Sequence, residues 1–582
     1  MMSSFPPFIL FFVAALLLPF LRGYLRNALL LAVPIVGGLG LIGLDAGSSW
    51  QISLFGYELE PYRVDKLSLL FGYLFHLAAL ISIIYSLHVR DTMQQVAALF
   101  YAGSALGVVF AGDLITLFIF WELMAISSTF LIWARRTDKA MASGFRYLII
   151  QMSSGMLLLA GAALLIYQTG DARFEYIGLG GLGFDNLASW LIFLAFGIKC
   201  AFPLFHNWLT DAYPEATPTG TVFLSAFTTK AAIYCMARGY PGTEILVYIG
   251  MVMTCFPIFY AVIENDLRRV LGYSMINQLG FMVCGIGIGT ALSINGAVAH
   301  AFTDVIFKGL LFMSMGAVLH MTGRMNGSEL GGLYRTMPKT TILCIVGAAS
   351  ISAFPLFSGF VSKSMVMSAA LTEGYHGVWL ALLFASAGVF HHAGIKIPYF
   401  AFFAHDSGIR VSDPPNNMLI AMTIAALLCV FIGTNPQLLY GLLPNTVEYT
   451  AYDMTHVLAQ VQLLFFSALA FVWLQKQGLY PPELRSINID VECLYRKLFP
   501  SIWQITKRIY CALATSINEI TGKLLCGIGL GVAHIYGEQS LIKKTLQTNY
   551  AVFVVTVFLL GYLLFYLSNL YDFQFKNYYF PQ

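Results

Sequence analysis

Long apolar stretches follow one another along the chain, each bounded by charged residues or by glycine and proline. An α-helix needs about 20 predominantly apolar residues to cross a bilayer, and roughly sixteen stretches approach that length. They lie near residues 5–21, 28–44, 67–88, 93–111, 112–133, 145–167, 188–205, 218–238, 244–263, 270–290, 296–320, 340–372, 378–404, 416–434, 457–475 and 549–570. The pattern predicts an all-α polytopic membrane protein with about sixteen transmembrane helices.

Proline interrupts two of these stretches, the seventh and the twelfth. In the seventh, Lys199 precedes Pro203 by four residues, and because proline has no N–H it leaves the Lys199 carbonyl without its helical donor. The letters of residues 201–205 recur at 353–357, and Lys363 follows the second copy. The twelfth stretch is also too long for one straight span, which predicts a break near Pro355–Gly359. Two broken spans, each with a lysine nearby, are typical of a transporter built from two structural repeats.

The composition agrees with a membrane protein and excludes several other classes. The chain is 58% apolar and only 10% charged, whereas soluble domains carry about 25% charged residues. A net charge of +3 gives no indication of nucleic-acid binding. The nine cysteines are scattered without metal-ligand spacing, and no nucleotide-binding or nucleophile motif is present. We therefore expect a transporter subunit rather than an enzyme, without metal or cofactor.

Lysine and arginine are distributed unevenly among the connections between the predicted spans. The even-numbered connections hold only Arg63, Lys66, Arg173 and Arg238, whereas most of the other basic residues lie in the odd-numbered ones. By the positive-inside rule the odd-numbered connections are cytoplasmic and both termini face the periplasmic side of a bacterial inner membrane. Residues 5–21 lack a basic leading region, so we interpret them as the first span and not as a signal peptide.

The connection 476–548 is long and differs from the others. Residues 502–536 mix apolar, small and basic side chains and are less apolar than the predicted spans. We expect an amphipathic helix that lies along the protein or the membrane interface. A pair of short spans is the alternative.

Two buried charges stand in the first half of the chain. Glu122 lies in an otherwise apolar fifth span, where a carboxylate must be protonated or paired. Lys199 is the natural partner, and a purely structural ion pair is the alternative. Lys230 lies well inside the eighth span, where burial favours the neutral amine and makes proton exchange accessible. A lysine that extends to the membrane surface is the alternative there.

The second half of the chain holds a longer series of titratable residues. His300, Asp304 and Lys308 are spaced i, i+4 and i+8 in the eleventh span and therefore share one helix face. Three titratable groups in register suit a proton relay bridged by water. Lys363 follows the second helix break and either exchanges protons there or anchors the end of the span.

Four further residues are secondary candidates. His391, His392 and Lys396 precede Pro398 in the thirteenth span, and His392 and Lys396 share a face. We expect an exit from the relay to bulk water there, with an interfacial position as the alternative. His206, just after the first break, is either a gate or a cap. A metal site at these histidines would need more ligands than the pattern offers.

These motifs resemble those of the proton-conducting, antiporter-like membrane subunits shared by respiratory complex I and the Mrp-type multisubunit Na+/H+ antiporters. The resemblance covers about residues 65–435. The segments that carry it are Phe120-Trp121-Glu122-Leu123-Met124, Gly197-Ile198-Lys199 with residues 208–212, residues 230–234, residues 266–274, residues 300–302 with 308–312, and residues 359–363. Segments 394–399 and 488–496 look most like the Mrp D-type branch.

The resemblance implies a core of fourteen helices with two inverted five-helix repeats. The implied division of the chain is 1–92 for the first three spans, 93–238 and 244–404 for the repeats, 405–475 for spans fourteen and fifteen, 476–548 for the lateral segment, and 549–582 for the last span and tail. The family's functional residues match Glu122, Lys199, Lys230, His300, Lys308 and Lys363. This sequence departs from the family at Asp304, where many members have histidine, at Thr210, where proline is common, and at Arg268, where lysine is usual.

The sequence-based hypothesis is a proton-translocating subunit of a multisubunit Na+/H+ antiporter. Its partners would be other membrane subunits of the same complex, the lipid bilayer, protons and Na+. Two alternatives remain open. One is the proton-pumping membrane subunit of a redox-driven complex, either complex I or a membrane-bound hydrogenase. The other is the energising subunit of an inorganic-carbon uptake complex.

Overall fold

Helices dominate the computed structural model, which describes residues 6–54, 56–181, 183–481, 483–484, 488–537 and 548–578. In chain order the helices are α1 Pro7–Leu17, α2 Gly23–Gly40, α3 Lys66–Ser86, α4 Thr92–Phe110, α5 Leu114–Trp133, α6 Asp138–Thr169, α7 Leu187–Lys199, α8 Asn207–Ala212, α9 Gly220–Ala226, α10 Thr228–Gly239, α11 Ile245–Ile263, α12 Leu267–Ile288, α13 Ala291–Thr322, α14 Pro338–Ile351, α15 Ser358–Thr372, α16 His376–Val389, α17 Asn416–Thr434, α18 Pro436–Tyr440, α19 Met454–Lys476, α20 Phe499–Tyr536 and α21 Thr548–Tyr578. An antiparallel hairpin of β1 (Ser49–Leu54) and β2 (Tyr57–Arg63), absent from the sequence-based prediction, connects α2 to α3.

Every predicted apolar stretch contains helix, so the predicted helical fold is confirmed. Within the described part of the chain, twelve helices have the length and apolarity to cross a membrane. The remaining predicted spans are short or divided: α1 and α14 are shorter apolar helices, and the seventh and eighth spans are each split. The count of sixteen therefore stays a prediction.

The chain divides into two compact units, Met1–Asp490 and Val491–Gln582. The first unit holds α1 to α19 together with all the candidate site residues. The second unit contains α20, which is one continuous helix of 38 residues. The expectation that segment 476–548 lies along the protein or the membrane interface stays a prediction, as does its alternative of two short spans.

The two repeated five-letter segments fold in the same way. Ala201 and Leu204 have φ angles of 59° and 73°, and the matching Ala353 and Leu356 have 55° and 74°. A residue in the left-handed region just past a helix end is a common way to stop a helix, although glycine usually occupies that position. The same five-residue sequence therefore ends α7 and α14 by the same turn, and the two inverted repeats stay a prediction.

The proline acts differently from the sequence-based expectation. Pro203 does not lie within a kinked helix, because α7 ends at Lys199, before the proline. The Lys199 carbonyl is thus part of a helix end rather than a single gap in a continuous helix. The eighth span is also broken, at Phe227 between α9 and α10, and this break was not predicted because no proline or glycine marks it.

Contacts between connections sort them onto two faces. Arg136, after the fifth span, donates to Asp91, after the third span, at 3.0 Å. Arg238, after the eighth span, donates to Asp65, after the second span, at 2.6 Å. These two contacts thus join an odd-numbered connection to an odd-numbered one and an even-numbered connection to an even-numbered one, as an alternating path through a membrane requires.

Helices α11 and α12 pack through glycine. A Cβ atom on Gly250 would stand 2.5 Å from the backbone nitrogen of Cys284, and one on Gly280 would stand 2.7 Å from the Gly250 carbonyl oxygen. Small residues let helix backbones approach closely, which is how membrane helices gain packing energy without a hydrophobic driving force. This contact fixes the position of α12, whose side chains contribute to the candidate site.

We expect Gly250→Ala to lower the thermal stability of the purified complex, because the clashing atoms are backbone and cannot move aside. Overpacking of this kind costs about 1–3 kcal/mol. The matched control is Gly309→Ala in α13, where a Cβ would meet nothing within 4 Å. Thermal unfolding in detergent, followed by size-exclusion chromatography, measures both. Equal stability of the two variants would contradict the packing argument.

Candidate functional site

Five lysines inside the predicted spans are buried in the first unit. Each is 0–1% exposed, and they are Lys199, Lys230, Lys308, Lys363 and Lys396. An isolated charge in such a position costs several kcal/mol unless it is paired or hydrogen-bonded. The partners of these five groups therefore define the site.

Lys199 and Glu122 are neighbours without forming the expected ion pair. The Lys199 Nζ donates to the Trp121 carbonyl oxygen at 2.7 Å and lies 4.3 Å from the centre of the Trp121 indole. Both carboxyl oxygens of Glu122 are buried without a hydrogen-bond partner among the described residues. The two side chains, both within that described part, interact electrostatically, but no contact within 4.0 Å joins them. The structure therefore places the two residues close together without the direct ion pair that the sequence predicts.

The Glu122 carboxyl rests on a glycine of the adjacent helix. A Cβ at Gly155 in α6 would come within 1.2 Å of the Glu122 Oε1 atom. Glycine therefore provides the space in which this carboxyl lies.

Lys230 and Asp304 form a fully buried ion pair. Their Nζ and Oδ2 atoms are 2.6 Å apart, and both side chains are 0% exposed. The Lys230 Nζ also donates to the Ser225 carbonyl oxygen at 3.2 Å, just before the break between α9 and α10. Helix spacing places Asp304 between His300 and Lys308, but the structure joins it to a lysine on another helix.

The Asp304 carboxylate also acts on two other lysines. It interacts electrostatically with Lys308 and Lys363. The Lys308 Nζ donates to the Ser274 hydroxyl at 2.7 Å. The Lys363 Nζ donates to the Ile351 carbonyl at 3.2 Å. One carboxylate thus acts on three lysine amines, of which only Lys230 contacts it directly.

A directional chain of hydrogen bonds holds His300. The Asn277 amide donates to the Thr254 carbonyl, and the Gln278 amide donates to the Asn277 oxygen at 2.7 Å. The Gln278 oxygen is left to accept from His300 Nε2 at 3.0 Å, so Nε2 carries the proton of the neutral ring. His300 Nδ1 then accepts from the Ser362 hydroxyl at 3.0 Å. Only the Nδ1 side of the ring therefore faces a group that can exchange a proton.

Lys396 lies at the end of α11 and not beside His300. Its Nζ donates to the carbonyl oxygens of Val262 and Glu264, both at 2.7 Å, and lies 2.9 Å from Glu483 Oε1. The chain around Lys396 forms wide π-helical turns, Phe390–Lys396 and Tyr399–Phe403, in place of a regular helix. The lysine thus links the thirteenth span, α11 and the segment after α19.

The secondary histidines occupy three different environments. His206 Nε2 lies 3.2 Å from Asp490 Oδ2, and the Tyr273 hydroxyl donates to the same carboxylate oxygen at 2.7 Å. His392 is buried in the thirteenth span. His391 is half-buried and packs against aromatic rings, with the Tyr480 ring centre 5.3 Å away. His391 therefore lies in a largely aromatic environment.

The sequence predicted the buried lysines, but it did not predict most of the residues that hydrogen-bond or form ion pairs with the candidate site residues. Gln278, Ser274 and Ser362 are ordinary polar residues in apolar spans, and only Ser362, directly before Lys363, has a neighbour that draws attention to it. Glu483 and Asp490 lie in a polar connection where acidic residues are usual. No spacing rule shows that their carboxylates reach Lys396 and His206.

Arg268, one of the departures from the family pattern, has a structural position. It is buried, and its guanidinium donates to the carbonyl oxygens of Pro214 and Ala216 at 2.9 and 3.1 Å. These carbonyls belong to the connection between α8 and α9. Arg268 therefore holds that connection in place and is not part of the lysine series.

We expect Asp304→Asn to destabilise the complex strongly, because it leaves the buried Lys230 ammonium without its counter-charge. Breaking a buried pair costs about 3–5 kcal/mol. The double variant Lys230→Met with Asp304→Leu removes both charges and should recover most of that stability. Thermal unfolding in detergent is the measurement, and exposed Asp185→Asn is the control. A double variant as unstable as Asp304→Asn would contradict the ion-pair interpretation.

Comparison with known proteins agrees with the predicted family. Residues 111–393 match the family described as NADH:quinone oxidoreductase/Mrp antiporter, transmembrane. The chain is 30% identical over 504 residues to the A-type Na+/H+ antiporter subunit of Alkalihalophilus pseudofirmus, covering 76% of this chain and 61% of that protein. It is 29% identical over 475 residues to the A1-type Na+/H+ antiporter subunit of Staphylococcus aureus strain JH9, covering 73% and 58%. The chain thus spans about three fifths of the length of these curated relatives, whose names carry the letter A and not the expected D.

Solved structures share the fold. The Mrp complex from Dietzia sp. DQ12-45-1b contains a chain with a TM-score of 0.69 and 20% identity, covering 81% of this chain and all of that one. An archaeal membrane-bound sulfane sulfur reductase contains another with a TM-score of 0.69 and 21% identity, covering 96% and 99%. Over residues 111–393 this multi-pass membrane protein is thus similar to the NADH:quinone oxidoreductase/Mrp antiporter transmembrane family, and its fold is that of the solved chains.

Proposed function

We propose that this protein is the proton-translocating subunit of a multisubunit Na+/H+ antiporter in a bacterial inner membrane. The observation that carries the proposal is the series of buried lysines from Lys199 to Lys363, connected through the Lys230–Asp304 pair. Buried lysines are costly, and in a membrane protein they mark an ion pathway by default. The curated relatives are named Na+/H+ antiporter subunits, which supports the choice of ion.

The proton route begins beside Lys199. Glu122 sets how strongly Lys199 holds its proton, since an approaching carboxylate favours the ammonium form and a departing one favours the amine. In the separated geometry the lysine releases its proton towards Lys230. The Lys230–Asp304 pair then acts as the junction between the two halves of the chain.

From this junction the proton passes to Lys308 and Lys363. His300 takes part through Ser362, whose hydroxyl contacts both Nδ1 and the Thr303 hydroxyl, the latter at 2.8 Å. Each step is a proton exchange between amines, hydroxyls and intervening water, so no cofactor is needed. Lys396 and Glu483 connect this proton route with the face of the odd-numbered connections.

The proposed orientation places the odd-numbered connections in the cytoplasm and both termini on the periplasmic side. The excess of lysine and arginine in those connections supports this assignment. Contacts that join odd to odd and even to even connections support the alternation on which it depends. Other membrane subunits would complete the antiporter and supply the Na+ pathway.

We expect Lys199→Ala to abolish Na+-driven proton flux in everted vesicles that carry the complete complex, because no other amine of the described chain occupies its place in the route. Loss of a positioned acid–base group costs about 100-fold or more. Lys139→Ala, at an exposed position after the fifth span, is the matched control and should retain normal flux. Fluorescence quenching of a pH-sensitive dye, with and without a Na+ gradient, gives the rates.

Two results would overturn the proposal. Flux that requires an electron donor and ignores Na+ would favour a redox-driven complex. Na+-driven flux that survives Lys199→Ala would show that protons take another route.

A further inference from the structure

A groove of about 450 Å³ lies between α4 and α5, beside the turn that follows α1. Two polar side chains line it, Thr92 and Ser127, and the Ser127 hydroxyl already donates to the Leu123 carbonyl at 2.7 Å. The walls are large apolar side chains, namely Met93, Val96, Phe100, Leu123, Ile126 and Phe130. The interior of the groove therefore suits an apolar occupant.

Small side chains form the floor of this groove. Ala97 of α4 and Ser127 of α5 are buried, whereas the lining residues Met93, Ile126 and Phe130 are exposed. The two small residues thus leave a depression between large apolar side chains on the outer surface of the protein.

The groove has the depth of one leaflet of a bilayer. At a rise of 1.5 Å per residue, its wall extends about 12 Å from Thr92 to Phe100 and about 10 Å from Phe130 to Leu123. The hydrocarbon core is about 30 Å thick, so one leaflet contributes about 15 Å. Trp133 ends α5 and packs against Phe130 with 5.5 Å between the ring centres, and tryptophan is typical of the headgroup level. The groove is therefore too short for a partner helix that crosses the membrane, but it fits a lipid acyl chain.

The mouth of the groove is basic. Arg22 follows the lining residue Pro19 by three positions, and Arg90 precedes the lining residue Thr92 by two. Both arginines are exposed. Within the described ranges of the chain, neither guanidinium has a carboxylate within 4.0 Å. Two arginines are thus available to an external anion at this end.

The acidic residue at the mouth is already engaged on both oxygens. Asp91 Oδ2 accepts from Arg136 at 3.0 Å, and Asp91 Oδ1 accepts from the Met93 backbone N–H at the start of α4, also at 3.0 Å. Asp91 thus neutralises Arg136 and leaves the charges of Arg22 and Arg90 uncompensated.

We propose that this groove binds an anionic phospholipid of the leaflet at the odd-numbered face. One acyl chain lies between α4 and α5, and the phosphate lies beside Arg22 and Arg90. Arginine suits this ligand because its planar guanidinium donates two parallel hydrogen bonds to a phosphate. Basic pockets between membrane helices bind anionic head groups on the same principle. The site contains none of the buried lysines, and the proposal goes beyond the proposed transport function.

Photo-cross-linking in native membranes identifies the occupant. Met93, 40% exposed in the wall near the mouth, is replaced by p-benzoylphenylalanine, and after irradiation the adduct is identified by mass spectrometry of the purified subunit. Ile420, 54% exposed near the start of α17 on the same face and outside the groove, receives the same replacement as the control. We expect the ratio of anionic to zwitterionic phospholipid at position 93 to exceed that at position 420. The expected excess is about fivefold for each arginine that contacts the phosphate.

Three results would overturn the proposal. Equal lipid ratios at the two positions would indicate ordinary surrounding lipid. An adduct with a peptide of another subunit at position 93 would make the groove a protein interface. The absence of any lipid adduct at position 93, together with an adduct at position 420, would leave the groove without a lipid. None of these measurements involves ion flux, so a failure here is distinguishable from a failure of the antiport function.

Charge recognition is tested by removing the two free arginines. We expect Arg22→Gln with Arg90→Gln to lower the lipid ratio at position 93 to that at position 420. Both residues are exposed, so the fold should be retained. The matched control is Arg324→Gln with Lys339→Gln, which removes two exposed charges from the same face away from the groove and should leave the ratio unchanged. An unchanged ratio in the first double variant would exclude recognition of the phosphate by these arginines.

Discussion

The carboxylate of Asp304 is the group on which the central site depends. Lys230, Lys308 and Lys363 are all buried, and each ammonium group alone would lose several kcal/mol of hydration. Asp304 contacts Lys230 directly and reaches the other two through the low dielectric of the interior, where charges interact over longer distances than in water. Asp304 is thus the one carboxylate that these three amines share, in direct contact with Lys230 alone.

The two helix breaks have the same backbone turn but different side-chain contacts. After α7, the turn follows Lys199, whose amine bonds to the Trp121 carbonyl of another helix. After α14, the terminal carbonyls of Ile351 and Ser352 accept from Lys363 and Gln460. The backbone geometry is the same at the two breaks, but the side chains that hydrogen-bond there are different. The same turn therefore presents its free carbonyls to different side chains at the two breaks.

The sequence predicted the helices well because they follow long apolar stretches. It predicted the buried lysines well because a charge within such a stretch is an exception that costs free energy. A charge within a long apolar stretch is visible to inspection and has few explanations. The partners were predicted poorly because they come from distant parts of the chain. Asp304 was placed on the correct helix face, yet its ion pair with Lys230 depends on how α10 and α13 cross. Glu483 lies in a connection where nothing in the letters distinguishes it from a solvated carboxylate.

The two side-chain amides hydrogen-bonded in series to His300, those of Gln278 and Asn277, affect proton transfer at the ring. A carboxamide can donate and accept hydrogen bonds, but it does not readily take up or release a proton at neutral pH. Asn277 and Gln278 therefore do not transfer protons between the imidazole and the Thr254 carbonyl of α11. On the proposed route, a proton on His300 would therefore arrive and leave on the same side of the ring, through Ser362.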